Sequence, residues 1–442
     1  MQNEQVRTLS SRLRQVETEF PDYWTFDGRD RRVGAHAIFH YPAMMVPQMQ
    51  GAILDLIREV APHARTIFDP FVGSGTTLVE AMARGLNFSG VDINPLAVLL
   101  SKVKATVLPP EKLKQAAARI AARISADKQT SYFVQFHNQQ KWFSKSASIA
   151  LSRIARGISC EVDLATRRVF WVVLARIVRA VCNSRSSTYK LHIKAPEDAI
   201  ATSVDPLLEF NSQSNYVLEC LDTHYQTLRA AGALDSHGYT GTIDLSVGNI
   251  LENKAPPDRQ ADIVITSPPY GDNRTTIPYG QYSYLPLRWI PLSDIAPEID
   301  HAIISSTHAT DTASLGGSMQ GALARGAESC ASYSAYQATM EALRDKEEGQ
   351  KRFASFAADL KRSVQVLAQR TRSGGFHVWT VGERRIGGVR VPMAQLLEEI
   401  LLSENISLIH AASRRILSKR MASRNTTSET MDAEQVLIAR RS

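Results

Sequence analysis

Ser267, Pro268, Pro269 and Tyr270 stand in a row directly after the apolar run Ile263-Val264-Ile265-Thr266. That run reads as a short buried strand. Two consecutive prolines cannot continue a hydrogen-bonded ladder, so the chain leaves the sheet there, at its carboxyl edge. In open α/β sheets that edge is where ligands bind. A stiff turn in such a place presents an oxygen from Ser267, a carbonyl from Pro268 and a flat ring from Tyr270. The set suits holding the exocyclic amine of a planar base. The same four residues also suit an ordinary strand-ending turn, and taken alone they leave both readings open.

A second group changes the balance. Asp69-Pro70-Phe71-Val72-Gly73-Ser74-Gly75-Thr76-Thr77 follows the β-favouring run Thr66-Ile67-Phe68 and precedes Leu78, Ala81 and Met82 at helical spacing, with Gly85 where a helix would stop. The pattern is strand, glycine turn, helix. Gly73 and Gly75 let backbone approach a ligand closely, and the helix start offers free N–H groups. A phosphate-binding P-loop needs a lysine before its Ser/Thr, but Gly75 is followed by Thr76 and Thr77. A dinucleotide fingerprint needs a third glycine where Leu78 stands. S-adenosylmethionine carries no phosphate, needs no such lysine, and remains.

The next strand, Asn87-Phe88-Ser89-Gly90-Val91-Asp92, ends in an acid. A carboxylate at that place can accept hydrogen bonds from both ribose hydroxyls of a nucleoside, and Ile93 can pack on its adenine face. Asp92 would equally serve as a local cap before Asn94-Pro95.

Together these segments resemble the site-specific DNA methyltransferases that modify exocyclic amines, and the Ser-Pro-Pro-Tyr form resembles their cytosine-N4 branch. Adenine-N6 members more often carry an acid or Asn where Ser267 stands. His40-Tyr41-Pro42-Ala43, followed by Pro47 and the helix-like Ile53-Leu54-Ile57, is similar to the family segment covering the methionine end of the cofactor. Gly271-Asp272-Asn273 with Tyr279-Gly280 and Leu287-Arg288-Trp289 resembles the stretch after the catalytic tetrad, Gly374 to Trp379 the next core strand, and Glu434 to Ile438 the last. The resemblance is most specific over residues 66–94 and 261–290. It implies a Rossmann-like α/β fold with a seven-stranded, mostly parallel sheet. It also implies S-adenosylmethionine as cofactor, double-stranded DNA as partner, and base flipping followed by direct methyl transfer. A restriction endonuclease acting separately is a further implied partner. The catalytic set is then Ser267, Pro268, Pro269 and Tyr270. The cofactor set is Tyr41, Pro42 and Ala43; Asp69, Phe71, Gly73, Ser74, Gly75 and Thr76; and Asp92 and Ile93. Asn249 joins it with a difference: Val247-Gly248-Asn249 stands where the family often has Gly-Asp. Asn249 can accept through its amide oxygen but supplies no charge. Adenine-N6 or RNA base-amine methylation, and an inert DNA-binding member of the fold, stay open as alternatives.

These groups need a core to position them. At 442 residues the chain can bury one. The expected layout is a catalytic core over 1–108 and 236–442, interrupted by a helical insertion over 109–235 that could take part in DNA recognition. In the insertion, Leu113, Ala117, Ile120 and Ile124 form one helical stripe and Val169, Val173, Ile177 and Val181 another. The polar, basic stretch Asn183 to Lys194, with Tyr189 inside it, could follow a nucleic-acid backbone. Residues 303–335, rich in Ser, Ala, Thr and Gly, predict a mobile loop. Arg414-Arg415, Lys419-Arg420 and Arg424 form a basic cluster of the kind that meets phosphates or solvent.

Lys and Arg number 51 against 44 Asp and Glu, a formal net charge of +7, a mild excess compatible with phosphate contacts. The amino terminus is polar, with no secretory leader and no run long enough to span a bilayer. Cys160, Cys182, Cys220 and Cys330 are scattered without metal-ligand spacing, so no metal is expected. They read as reduced thiols of a cytoplasmic protein. None follows a proline, which argues against the Pro-Cys nucleophile of cytosine-C5 methylation.

Overall fold

The run that ends at Ser267 is apolar at successive positions, and such a run is stable as a strand only when both of its faces are covered. In the computed structural model, which describes residues 2–42, 44–185, 188–201, 204–252, 260–269, 277–416 and 433–442, it is the central strand of a seven-stranded sheet. The strands are β1 (Thr66–Asp69), β2 (Asn87–Asp92), β3 (Ile243–Val247), β4 (Ala261–Thr266), β5 (Thr371–Gly382), β6 (Ile406–Arg415) and β7 (Ala433–Arg441). Their order is β6-β7-β5-β4-β1-β2-β3. β7 is antiparallel to both neighbours and every other pairing is parallel. This is the Rossmann-like, mostly parallel sheet expected from the sequence.

Strand alternation sends neighbouring side chains to opposite faces. Ile263, Ile265, Val378 and Ile438 pack with helices α1 (Gln2–Glu19), α2 (Pro47–Val60) and α3 (Thr76–Met82) through Leu13, Ile53, Ile57 and Leu78. Between β2 and β3 the chain builds a helical layer from α4 (Pro95–Ala105), α5 (Pro110–Ala126), α6 (Lys145–Ser159), α7 (Leu164–Val181) and α8 (Pro206–Ala230). The predicted stripes face inward there: Leu113, Ile120, Val169, Val173 and Ile177 share one core with Leu99 and Leu100 of α4 and with Trp289 of α9 (Tyr279–Trp289). On the other face of the sheet Val264, Trp379 and Leu437 meet α10 (Glu347–Arg370) and α11 (Met393–Ser403) through Phe353, Leu360, Leu397 and Ile400.

Two expectations change. The composition of 303–335 reads as a mobile loop, but the structure forms helical turns at Ala309–Ala313 and Ala322–Cys330. Leu315 and Cys330 are buried with Phe353 and Phe356. Small residues there permit close helix contact: a Cβ on Gly326 would lie 2.7 Å from Cβ of Ala354. Arg414 is no surface cation either. It is buried in β6 and pairs with Glu434 of β7 at 2.6 Å. Arg415 pairs with Asp22, and Lys419, Arg420 and Arg424 lie outside the described residues.

Candidate active site

β1 and β4 are neighbours, but the chain runs outward from β1 through β2 and β3 before crossing to β4. The carboxyl ends of β1 and β4 therefore border a topological switch point, the place where α/β sheets bind ligands. One end carries the glycine turn and the other carries Ser267-Pro268-Pro269. A buried hydrogen bond ties them together: the Thr266 hydroxyl donates to Asp69 Oδ1 at 2.6 Å, and neither residue has exposed surface. Asp69 Oδ1 also accepts from the Phe71 amide at 3.0 Å, which folds the chain into the turn. Burial pushes the Asp69 carboxyl up to about 7, against the opposing pull of its bonds with Thr266, Phe71 and Thr77.

The turn needs glycine at two places. Gly73 and Gly75 have φ of 52° and 77°, in the left-handed region, and a Cβ on Gly75 would lie 2.8 Å from Ser101 Oγ. Ser74 and Thr76 are buried, so the turn offers a ligand backbone more than side chains. Phe71 is half-buried beside it.

Asp92 closes the turn from β2. Its Oδ2 accepts from the Gly73 amide at 2.7 Å and its Oδ1 from the Asn94 amide at 2.8 Å. Each oxygen retains an acceptor position. Burial raises this carboxyl to about 6, in spite of the two amides. Asn94, unselected by sequence reading, is a junction. Its Oδ1 caps α4 by accepting from Leu96 N at 3.1 Å, while Nδ2 donates to Tyr41 Oη at 2.9 Å and to Ser283 Oγ at 2.7 Å. The amide thus joins the Asp92 turn, the Tyr41 segment and α9. Tyr41 is buried and stacks on Tyr279, ring centroids 5.8 Å apart. Pro42 beside it is buried, and Ile93 is half-buried.

The predicted residues gather as follows. Hydrogen bonds join Tyr41, Asn94, Asp92 and Gly73 in one chain, while Asp69 joins Phe71 of the same turn to Thr266, the residue before half-buried Ser267 and buried Pro268. Asn249 follows β3, where Gly248 N donates to the Asp92 carbonyl at 3.0 Å. Its amide is partly engaged, Oδ1 accepting from Leu251 N and Nδ2 donating to Ala313 O. Tyr270, Gly271, Asp272, Asn273, Arg274 and Ala43 lie outside the described residues. The basic stretch from Asn183 comes close to the site: Leu191 N donates to Gln281 Oε1 at 3.1 Å, and Tyr189 Oη lies 3.4 Å from His40 Nε2. Arg179 of α7 covers the ring of Tyr282 at 4.2 Å. Besides Asn94, sequence reading missed Thr266 and Ser283, since both are ordinary hydroxyls until the fold supplies their partners.

A seven-stranded sheet of this order, with a glycine turn after β1 and an acid ending β2, defines the S-adenosylmethionine-dependent methyltransferases. The residues fit that cofactor, because Asp92 keeps one acceptor position on each oxygen, which matches the two hydroxyls of a ribose. Comparison with known proteins adds a likeness to one family. The family model described as DNA methylase, of the N6/N4 type, matches residues 1–102. The Type II methyltransferase M.MvaI of Kocuria varians is 27% identical over 454 aligned positions, covering 99% of this chain and 97% of that protein. The Type II methyltransferase M.MjaII of Methanocaldococcus jannaschii is 37% identical over 87 residues, 20% of this chain and 16% of that protein. The chain is thus similar to the N6/N4 DNA methylases over residues 1–102 and to a Type II methyltransferase along nearly its whole length, and Type II methyltransferases of that family use S-adenosylmethionine. Among the described residues no cluster of His, Cys, Asp or Glu could hold a metal, and no helix is long and apolar enough to cross a membrane.

Proposed function

We propose that this enzyme methylates the N4 amine of cytosine within a specific double-stranded DNA sequence, as the modification half of a Type II restriction–modification pair whose endonuclease acts separately. The observation that carries the reading is the Ser267-Pro268-Pro269 turn leaving β4 beside the glycine turn, with Thr266 hydrogen-bonded to Asp69 between them. Serine at the first position of the tetrad favours cytosine, and likeness to a Type II methyltransferase along nearly the whole chain supports the biological setting.

The cofactor supplies a methyl group on a sulfonium sulfur, open to attack by nitrogen. Asp92 would hold its ribose, with Ile93 and Asn249 towards the adenine and Tyr41-Pro42-Ala43 over the methionine end. The cytosine amine is a poor nucleophile because its lone pair is delocalised into the ring. Ser267 Oγ and the Pro268 carbonyl, accepting from its two N–H groups, favour the more tetrahedral nitrogen that attack requires. This is preorganised electrostatic catalysis with no covalent enzyme intermediate, and alignment of the reacting atoms contributes the rest. Serine is a weak base, so the amine proton leaves to water during or after transfer. The paired base must first be extruded from the duplex, and Tyr270 stacks on it, worth roughly 1–3 kcal/mol.

Mass spectrometry of nucleosides from DNA treated with enzyme and S-adenosylmethionine tests the assignment. N4-methylcytosine is the expected product. N6-methyladenine as the sole product would overturn it.

A further inference from the structure

Lys104 sits in the last turn of α4 and is 1% exposed. Its Nζ donates to the Ser74 carbonyl of the glycine turn at 2.5 Å, and no carboxylate pairs with it among the described residues. His36, in the turn Gly34–Ala37, and His224 of α8 both lie close enough to feel its charge. His224 Nε2 also lies 3.1 Å from the Lys104 carbonyl. An ammonium buried without a counter-charge is costly, and a methionine would fill the same space without that cost. Burial pushes Lys104 down to about 7.

The acceptor shows what offsets the cost. Three residues earlier, on the same face of α4, Ser101 Oγ donates to the Gly73 carbonyl at 3.3 Å. Two side chains of one helix therefore hold both carbonyls of the peptides flanking Ser74. In a planar trans peptide the N–H points opposite to the C=O, so the Ser74 N–H is turned away from α4. The Gly75 N–H is already given to the Val72 carbonyl at 2.9 Å. The outcome is a turn with one amide aimed outward, on a backbone pinned from behind.

We propose that Lys104, with Ser101, is a positioning residue for S-adenosylmethionine: from α4 it holds the carbonyls of the glycine turn and thereby presents the Ser74 amide to the cofactor. This rests on the glycine turn being the cofactor site. Lys104 touches the turn and not the ligand, so its effect falls on cofactor affinity.

Calorimetric titration of the full-length protein with S-adenosylmethionine, alongside the thermal midpoint of the ligand-free protein, tests this for wild type, Lys104→Met and Ser101→Ala. Loss of a charge-assisted hydrogen bond behind the turn predicts roughly tenfold weaker binding for Lys104→Met. Its ligand-free midpoint should be unchanged or higher, because a buried unpaired charge has gone. In turnover, KM for the cofactor should rise more than kcat falls. Wild-type affinity retained within twofold would overturn the proposal, and so would a midpoint that falls in step with affinity, since that marks a merely structural lysine. Should Lys104→Met fail to fold, Ser101→Ala decides: about threefold weaker binding is expected, and unchanged binding overturns it. A wild-type protein that binds no S-adenosylmethionine would instead refute the cofactor site itself.

Discussion

Asp92→Asn is the sharpest perturbation of the proposed cofactor site, because it keeps the shape of the side chain and changes its hydrogen-bond inventory. The carboxylate serves two backbone amides, Gly73 at 2.7 Å and Asn94 at 2.8 Å, and has an acceptor position on each oxygen for a ribose hydroxyl. Asparagine has one acceptor oxygen and a donating NH2. One backbone amide must then face a donor, and one ribose hydroxyl loses its acceptor. A net hydrogen bond to a charged group contributes about 1.5–3 kcal/mol. The backbone mismatch burdens free and bound protein alike, so the lost ribose bond sets the effect on binding, roughly 10- to 150-fold. Titration calorimetry at pH 7.5 measures it directly. A pH series adds a second signature. The carboxyl ionises at about 6, raised by burial, and a ribose that donates to it binds the ionised form better. Affinity is therefore full above that pH and lost as pH falls through about 6 and below, approaching tenfold per pH unit. The asparagine variant should lack this step. A dissociation constant within threefold of wild type, with the same pH dependence, would remove Asp92 from the ribose.

Asn94→Asp keeps the α4 cap at Leu96 N but replaces the donors to Tyr41 and Ser283, and urea unfolding should show a loss of about 1–3 kcal/mol; unchanged stability would mean that those two bonds are idle. Burial raises the folded-state Asp69 carboxyl to about 7, above its ordinary value of about 4, so the stability tied to its protonated form is full below about 4 and is lost as pH rises through 7. Asp69→Asn should thus gain in melting temperature relative to wild type between pH 5 and pH 8, and a difference that does not vary with pH would contradict the burial argument. Tyr270→Ala should reduce turnover on duplex DNA more than it weakens cofactor binding, and equal losses in the two assays would mark a structural tyrosine.

The strand ends of this protein were legible because punctuation is local. Pro268-Pro269 can only stop β4, Gly73 and Gly75 can only turn, and Asn94-Pro95 opens α4 with its cap and its first-turn proline in place. Contacts between such local units are not written locally. The Asn94 amide finds Tyr41 and Ser283 at sequence separations of 53 and 189, and nothing in Asp-Ile-Asn-Pro distinguishes a cap from a junction. Arg414 shows the converse failure. Two adjacent arginines look like surface until the antiparallel register sets Arg414 opposite Glu434. The helices within 303–335 were not legible because small side chains serve loops and close helix contacts equally, and only the approach of α10 distinguishes them.

Two acids organise the strand ends by one principle, Asp69 fully buried and Asp92 half-buried, each with its carboxyl pushed up by burial. Asp69 links the end of β1 to Thr266, the residue before the Ser-Pro-Pro turn, while its other contact is the Phe71 amide inside the glycine segment. Asp92 links the end of β2 back to Gly73 in the same segment. The glycine turn is thus held by both neighbouring strands, and the strand bearing Ser267 is fixed to one of them. A methyl donor seated on the turn and an amine held at Ser267 would be placed by a common frame and not by two independent loops. Error in their separation then depends on short buried hydrogen bonds instead of on long side chains. For a reaction whose barrier is lowered mainly by alignment and fixed dipoles, that rigidity is where sequence invested its buried polar groups.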